Sequence, residues 1–379
     1  MEGRRALTKT DSLCLKGIAI ILMIFHHCFL DQTRFEKYTV IFSPFSENFI
    51  VSISYYFKIC VSIFAFISGY GLYLSAKDHL QNRREITKWT ISRLVKTISG
   101  FQFVYILVFI ISWVYADFPR KTYCANGNIR GGVYAFLDFL GLSSLFKTPT
   151  LNATWWYMGA AILFIVLIPS LIKLREKIGY FNIIIFIVFI PRILNVGYLG
   201  SINPYGFILA LLLGMIFAEY KFFERFDTYD LVKNKYLNSI LIFLFWLVIF
   251  IMSVVICDRT ERYQIWELHY AIAPVVAICF CKKYILDIPV IRQILSFLGK
   301  YSMDIFLTHT FIRYTFFQDF TYSFKFFWLI ALVLLTISLG ISVVLGFIKK
   351  WIQFDRLIFW LSTKVTNCID KLRIMSIDD

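Results

Sequence analysis

The stretch Ser12-Leu-Cys-Leu-Lys-Gly-Ile-Ala-Ile-Ile-Leu-Met-Ile-Phe-His-His-Cys-Phe-Leu30 decides how the chain is read. It is an apolar run close to the about 20 residues that cross a bilayer, and it carries Lys16, His26 and His27. Lys16 and His27 are eleven positions apart. At about 100° per residue this is within about 20° of three full turns, so both side chains share one face, roughly 16 Å apart along the axis. Ionisable groups on one stripe of a membrane helix face a protein interior or a water-filled path, because lipid cannot solvate them. The expected arrangement is a cation at one membrane face and an imidazole deep on the same side of the helix. His26, rotated about 100° from His27, is expected to pack or to support its neighbour.

Outward from that run the texture is the same. The chain is 59% hydrophobic and 17% charged with 41 Phe, and its mean hydropathy is +0.70. A soluble domain is nearer half apolar and a quarter charged. Ten helical spans are predicted, over about residues 13–30, 50–75, 94–116, 153–172, 180–199, 204–218, 237–256, 266–281, 298–317 and 326–348. The expected class is therefore all-α, a polytopic membrane protein with about ten transmembrane helices. Cations concentrate in the N-terminal tail (Arg4, Arg5, Lys9), in the even-numbered loops (for example Lys77, Arg83, Arg84, Lys88 and Arg93) and after Lys349. The odd-numbered loops are poorer in cations, apart from the long loop 117–152, which counts for less. Both termini are thus expected in the cytoplasm. This gives a transmembrane domain over 1–350 and a cytoplasmic tail over 351–379, too short to bury a core. The N-terminus lacks a small-residue cleavage site, so the first helix is expected to be an uncleaved anchor.

The net charge of +15 would suggest nucleic acid in a soluble protein. Here the cations fall between apolar runs, so topology and membrane lipid account for them and no nucleic-acid partner is expected. Most of the eight Cys lie in predicted helices, where they act as small apolar residues. No spacing suggests a metal site. Cys124 and Cys257 fall on predicted outer loops, where a disulfide is open to them.

In this topology Lys16, Arg93 and Lys96 sit at cytoplasmic helix ends. Ser68 and Gly69 lie in the inner half of the second span. Ser302 and His309, seven apart, share a face of the ninth. A cytoplasmic cation cluster suits phosphates, and a flexible arm of about 16 Å could run from it to His27. Coenzyme A has that shape, although other anionic substrates match as well. An imidazole can take the proton of an attacking hydroxyl. Ser68-Gly69 also fits a close contact between helices. Trp155, Trp156 and Tyr157 fit an interfacial aromatic belt. Lys58 needs a partner inside the second span. Glu267 and His269 begin the eighth span near the outer face, where they contact either the acceptor or only water, water being the expected contact. The loop 117–152 is long enough to form a lid or an acceptor surface.

Four stretches in order then resemble the acyltransferase 3 family of membrane O-acyltransferases. The run from Leu15 through His27 is similar to its first-helix pattern of an arginine, ten residues and a histidine, with Lys16 for the arginine. Phe64-Ala-Phe-Ile-Ser-Gly-Tyr70 resembles its Ser-Gly motif. Arg93-Leu-Val-Lys96 resembles the basic pair entering the third helix, with lysine for the second arginine and no following proline. Gly299-Lys-Tyr-Ser-Met-Asp-Ile-Phe-Leu-Thr-His309 resembles the late Gly-x-x-Ser…Leu-x-His stretch. Trp155-Trp-Tyr157 fits the aromatic start of the fourth helix, without the glutamate some members carry.

The resemblance implies a stand-alone membrane domain, without the C-terminal esterase-like domain of some members, in the bacterial cytoplasmic (inner) membrane. It implies transfer of an acyl group, usually acetyl, from cytoplasmic acyl-CoA to a hydroxyl of a cell-surface glycan or lipid-linked sugar. A separate acyl-accepting protein is a further partner. His27 and His309 would be catalytic, His27 as general base or transient acyl carrier. Lys16, Arg93, Lys96, Ser68 and Ser302 would bind acetyl-CoA, a donor substrate and not a resident cofactor. Lysine for arginine keeps the charge but loses the planar fork that grips phosphate twice. The alternative class is a transporter or flippase of a lipid-linked sugar or organic anion. It would predict internal repeats, and the halves show no convincing self-similarity.

Overall fold

The computed structural model describes residues 6–80, 82–126, 128–193, 203–225, 232, 234–262 and 265–374. The first helix, α1 (Lys9–Phe29), begins at a reciprocal cap. Thr8 Oγ1 accepts from the Asp11 N–H at 3.1 Å, and the Asp11 carboxylate accepts from the Thr8 N–H at 3.0 Å. Two N–H groups that a helix start leaves unpaired are so satisfied. There follow α2 (Glu47–Tyr56), α3 (Ile59–Ala76), α4 (Arg83–Ala116), α5 (Phe118–Tyr123), α6 (Asn128–Phe139), α7 (Ser143–Phe146) and α8 (Trp156–Ile193). After these come α9 (Ile208–Glu219), α10 (Phe222–Arg225), α11 (Lys235–Arg262), α12 (Trp266–His269), α13 (Ile272–Tyr284) and α14 (Pro289–Lys300). The last are α15 (Ser302–Thr310), α16 (Gln318–Tyr322), α17 (Phe327–Trp351) and α18 (Phe354–Ile374). Among the described residues the β-structure is limited to an isolated bridge between Ile41 and Phe326. The protein is an all-α, multi-pass membrane protein.

Six helical stretches among the described residues are long and apolar enough to cross a membrane: Lys9–Phe29, Glu47–His79, Arg83–Val114, Ala153–Ile190, Tyr236–Ile256 and Phe327–Trp351. The other predicted spans are shorter or broken. The fourth and fifth join in α8 around Gly179, which has φ 75° and ψ 163°, a conformation glycine adopts without a Cβ penalty. The end of the fifth, 194–199, lies outside the described residues. The sixth is the short α9. The eighth breaks at Tyr270-Ala271, between α12 and α13. The ninth starts only after Tyr301 and passes from α15 into a π-helical segment, Phe311–Phe316. The predicted tail forms the helix α18.

The chain divides into two compact units. The first comprises Met1–Leu74, Ile172–Ser302 and Tyr322–Leu335; the second comprises Ser75–Leu171, Met303–Thr321 and Thr336–Asp379.

In the first unit, glycines set how closely helices cross. A Cβ on Gly17 of α1 would overlap the Leu295 carbonyl of α14, and one on Gly299 of α14 would overlap the Leu13 carbonyl of α1. The crossing of α3 and α9 repeats the device, Gly69 against Leu211 and Gly214 against Phe66. Small residues let backbones approach where lipid supplies no hydrophobic drive between helices. Gly69 is thus a packing residue. Gly299→Ala is expected to force α1 and α14 apart at a cost of about 1–3 kcal/mol, as overpacking does, read as a lower unfolding temperature of the purified protein.

Beside this crossing, Asp11 is 1% exposed. Its carboxylate lies 2.8 Å from Lys282 Nζ of α13 and 2.8 Å from Arg292 Nη1 of α14. One carboxylate so ties three helices. At the other end of α1, Phe25 and Phe29 pack edge-on against Phe327, and the Tyr322 hydroxyl donates to the Cys28 carbonyl at 2.9 Å.

In the second unit, Phe101, Tyr105, Trp155, Leu307 and Phe311 form a core. Lys349 Nζ donates to Asp304 Oδ1 at 2.7 Å. The helix α18 lies along α4, with Ser362 donating to Ser92 at 3.0 Å and Phe354 beside Phe103. The segment between α4 and α8 carries a buried network. The Tyr123 hydroxyl donates to Asp138 Oδ2 at 2.6 Å, the Leu151 N–H donates to the same oxygen at 2.9 Å, and the Tyr105 and Tyr123 hydroxyls are 3.0 Å apart.

Burial pushes the Asp138 carboxyl above its ordinary value of 3.8, against the opposing pull of the bonds it accepts, and burial likewise pushes up the Tyr123 phenol. A carboxyl that is harder to ionise when folded binds more protons in the folded state. Its contribution to stability therefore falls as pH rises from the ordinary value through the raised one. Asp138→Asn is expected to flatten that slope, measured as unfolding temperature against pH from about 4 upward.

Candidate functional site

The helix α1 is unbroken from Lys9 to Phe29, so Lys16 and His27 stay on one stripe, and both are half-buried. The His27 ring meets a cation that the sequence did not single out. Arg34 Nη1 donates to the His27 carbonyl at 2.6 Å and lies 3.5 Å from His27 Nδ1. Arg34 ends the short 3-10 turn Gln32–Arg34, which Asp31 opens by accepting from the Thr33 N–H at 2.8 Å. The short bond of the guanidinium is to the carbonyl, and its longer approach to Nδ1 flanks the ring with positive charge. The His26 Nδ1 donates to the Ser54 carbonyl at 2.7 Å. The two rings are 5.1 Å apart, edge to face. In sequence, Arg34 is one loop cation among many, and only the turn after α1 brings it back to the imidazole.

The same unit gives Lys58 its partner. The second predicted span breaks at Phe57-Lys58, between α2 and α3. There Lys58 Nζ donates to the Tyr270 hydroxyl at 2.7 Å, at the break between α12 and α13. Breaks at membrane depth are tolerated where protein or a cavity resupplies the freed backbone groups. Tyr270 stacks on Phe207 with centroids 4.5 Å apart and on Trp266 at 6.0 Å. Glu267 is 0% and His269 is 7% exposed, which corrects the expectation that they meet water: α12 turns both inward. Ser54, whose carbonyl accepts from His26 Nδ1, is four residues before Lys58, about one turn. Ser68 is half-buried beside the Gly69 crossing, and Ser302 is buried at the start of α15.

The second unit holds Arg93, Lys96 and His309. The Arg93 guanidinium donates to Ser75 Oγ, which also accepts from Trp89 Nε1 at 2.9 Å, and it lies 5.9 Å from the Trp89 ring centroid. Lys96, one turn on, is exposed. His309 is fully buried. Its Nδ1 donates to the Phe306 carbonyl at 2.8 Å, and its Nε2 accepts from the Thr310 hydroxyl at 3.1 Å. Trp155 is no belt residue: it is 1% exposed, and its Nε1 donates to the Leu307 carbonyl at 3.1 Å. Among the described residues no group of three His, Cys, Asp or Glu side chains is placed to hold a metal. Cys124 is a free thiol, and the Cys257 side chain lies outside what is described.

No curated protein and no solved structure shows significant similarity to the chain. The family model described as an acyltransferase domain, of the acyltransferase 3 type, matches residues 13–347. That span runs from the start of the Lys16–His27 stripe, through the Ser-Gly and basic motifs, to the last membrane helix, and the chain belongs to the acyltransferase 3 family of membrane acyltransferases.

Proposed function

We propose that the protein transfers an acyl group, acetyl being the expected one, from cytoplasmic acyl-CoA to a hydroxyl of a cell-surface glycan or lipid-linked sugar, in a bacterial cytoplasmic membrane. The observation that carries the reading is the half-buried His27 imidazole flanked by the Arg34 guanidinium, on the helix that also presents Lys16. The acceptor oxygen attacks the thioester carbonyl and a C–O bond forms. The hydroxyl proton passes to His27, the C–S bond breaks, and the coenzyme A thiolate leaves to take a proton. Arg34 supplies fixed positive charge beside the ring, suited to the oxyanion that develops in the attack. In the first unit this reading gives donor binding to Lys16, Ser68 and Ser302; in the second it gives donor binding to Arg93 and Lys96 and a catalytic role to His309.

His27 acts as general base or as transient acyl carrier, and one experiment separates the two. Membranes are incubated with acyl-labelled acyl-CoA while acceptor is withheld. Label bound to histidine identifies the carrier route; label that moves only when acceptor is added identifies the base. If envelope glycans have the same acylation by mass spectrometry with and without the protein, the reading fails.

A further inference from the structure

Arg313 is a buried cation that neither the packing nor the acyl-transfer reading uses. It is 6% exposed, and its Nε and Nη1 are buried without a hydrogen-bond partner. Its guanidinium carbon lies 5.6 Å from the Tyr314 ring centroid, which satisfies no N–H. Among the described residues no carboxylate lies within ion-pair distance of it. Charged groups inside membrane proteins are costly and mark functional sites, and a stranded guanidinium is among the most costly. Arg313 also lies in the π-helical segment Phe311–Phe316, a distortion that recurs at functional sites.

The same unit places a polar chain beside it. His309 is four residues back, at the end of α15. Its Nε2 accepts from the Thr310 hydroxyl at 3.1 Å, the Thr154 hydroxyl lies 3.4 Å from that of Thr310, and Thr154 donates to Asn152 Oδ1 at 2.8 Å. Asn152 is 4% exposed, and its Nδ2 is also buried without a partner. The unsatisfied atoms of these two side chains, Arg313 Nε and Nη1 and Asn152 Nδ2, are all donors. What they call for is an acceptor group with negative charge. The predicted topology puts Arg313 outward of His309, away from the cytosolic side where the phosphates of the donor enter.

We propose that Arg313 and Asn152, beside the His309–Thr310–Thr154 chain, form a subsite for an oxyanion, a phosphate or carboxylate group carried by the acyl acceptor. The claim rests on the acyl-transfer reading only in naming the acceptor as the carrier. It makes the acceptor an anionic glycan or sugar phosphate, not a neutral one.

The test needs no acyl donor, so its failure leaves the acyl-transfer reading standing. The full chain, purified in neutral detergent, is titrated with inorganic phosphate and with acetate, and its unfolding temperature is followed. The wild type is expected to be stabilised saturably by at least one of them. Arg313→Met is expected to weaken that binding about tenfold or more, the worth of a hydrogen bond to a charged group, and Arg313→Lys to keep part of it. Asn152→Asp, which sets a second negative charge against the ligand, weakens binding too and serves if the methionine variant does not fold. Stabilisation seen only in nanodiscs containing phosphatidylglycerol, and not in phosphatidylcholine alone or with soluble anions, assigns the oxyanion to lipid and overturns the acceptor claim. No response to any anion, with Arg313→Met as stable as the wild type or more so, overturns the subsite.

Discussion

Replacement of His27 by alanine is expected to lower acyl transfer by about 10²–10⁴-fold, the range that a positioned general base contributes, with little loss of folded protein. The ring is half-buried, and this end of α1 is held by other groups, among them Phe29 against Phe327 and the Tyr322 bond to the Cys28 carbonyl. Losing the imidazole therefore costs chemistry more than packing. His309→Ala is the contrast. That ring is fully buried and bonded at both nitrogens, so stability should fall with activity. The measurement is acyl label incorporated into envelope glycan by membranes, beside the unfolding temperature of each variant. Transfer by His27→Ala within about twofold of wild type would remove His27 from the chemistry.

The largest effect on stability is expected from Asp11→Ala, about 3–5 kcal/mol, because deleting one partner of a buried ion pair strands the rest. Here Lys282 loses the partner 2.8 Å from it, while Arg292, also 2.8 Å from the carboxylate, keeps Asp287 at 3.8 Å and the Leu286 carbonyl at 2.9 Å. The reciprocal cap with Thr8 goes as well, worth about 1 kcal/mol. Asp11→Asn, which keeps an oxygen for the cap, should lose less. The combination of Asp11→Leu, Lys282→Met and Arg292→Leu should recover much of the loss, since apolar replacement of a whole buried ionic cluster is often neutral or better. Unfolding temperatures of the purified variants check the order. A triple variant no better than Asp11→Ala would show that the cap, not the ion pairs, holds this corner.

Asp11 illustrates where reading the sequence stops. It stands five residues before Lys16, just ahead of the stretch that organises the chain, yet it passes for an ordinary helix-start carboxylate. Its partners are 271 and 281 positions away, and only packing brings them together. Glu267 and His269 were expected to meet water because they begin a span. The chain instead breaks after α12 and turns both inward. Trp155 has the composition of an interfacial residue and the environment of a core one. Arg34 and Arg313 carry no local mark at all. One is folded back on an imidazole seven residues earlier, and the other is buried in a π-helical segment with its Nε and Nη1 unpartnered.

By itself the sequence determined the membrane class, the helical texture, the shared stripe of Lys16 and His27, and the family. Each follows from local quantities: apolar run length, the 3.6-residue repeat and short motifs, none of which needs a distant residue. Only the tertiary structure decided which glycine meets which backbone, which carboxylate answers which cation, which spans break, and what each of the paired histidines meets. Those outcomes depend on atoms brought within about 3 Å from opposite ends of the chain, and the free energy that selects them is that of packing and desolvation, to which no local pattern is sensitive.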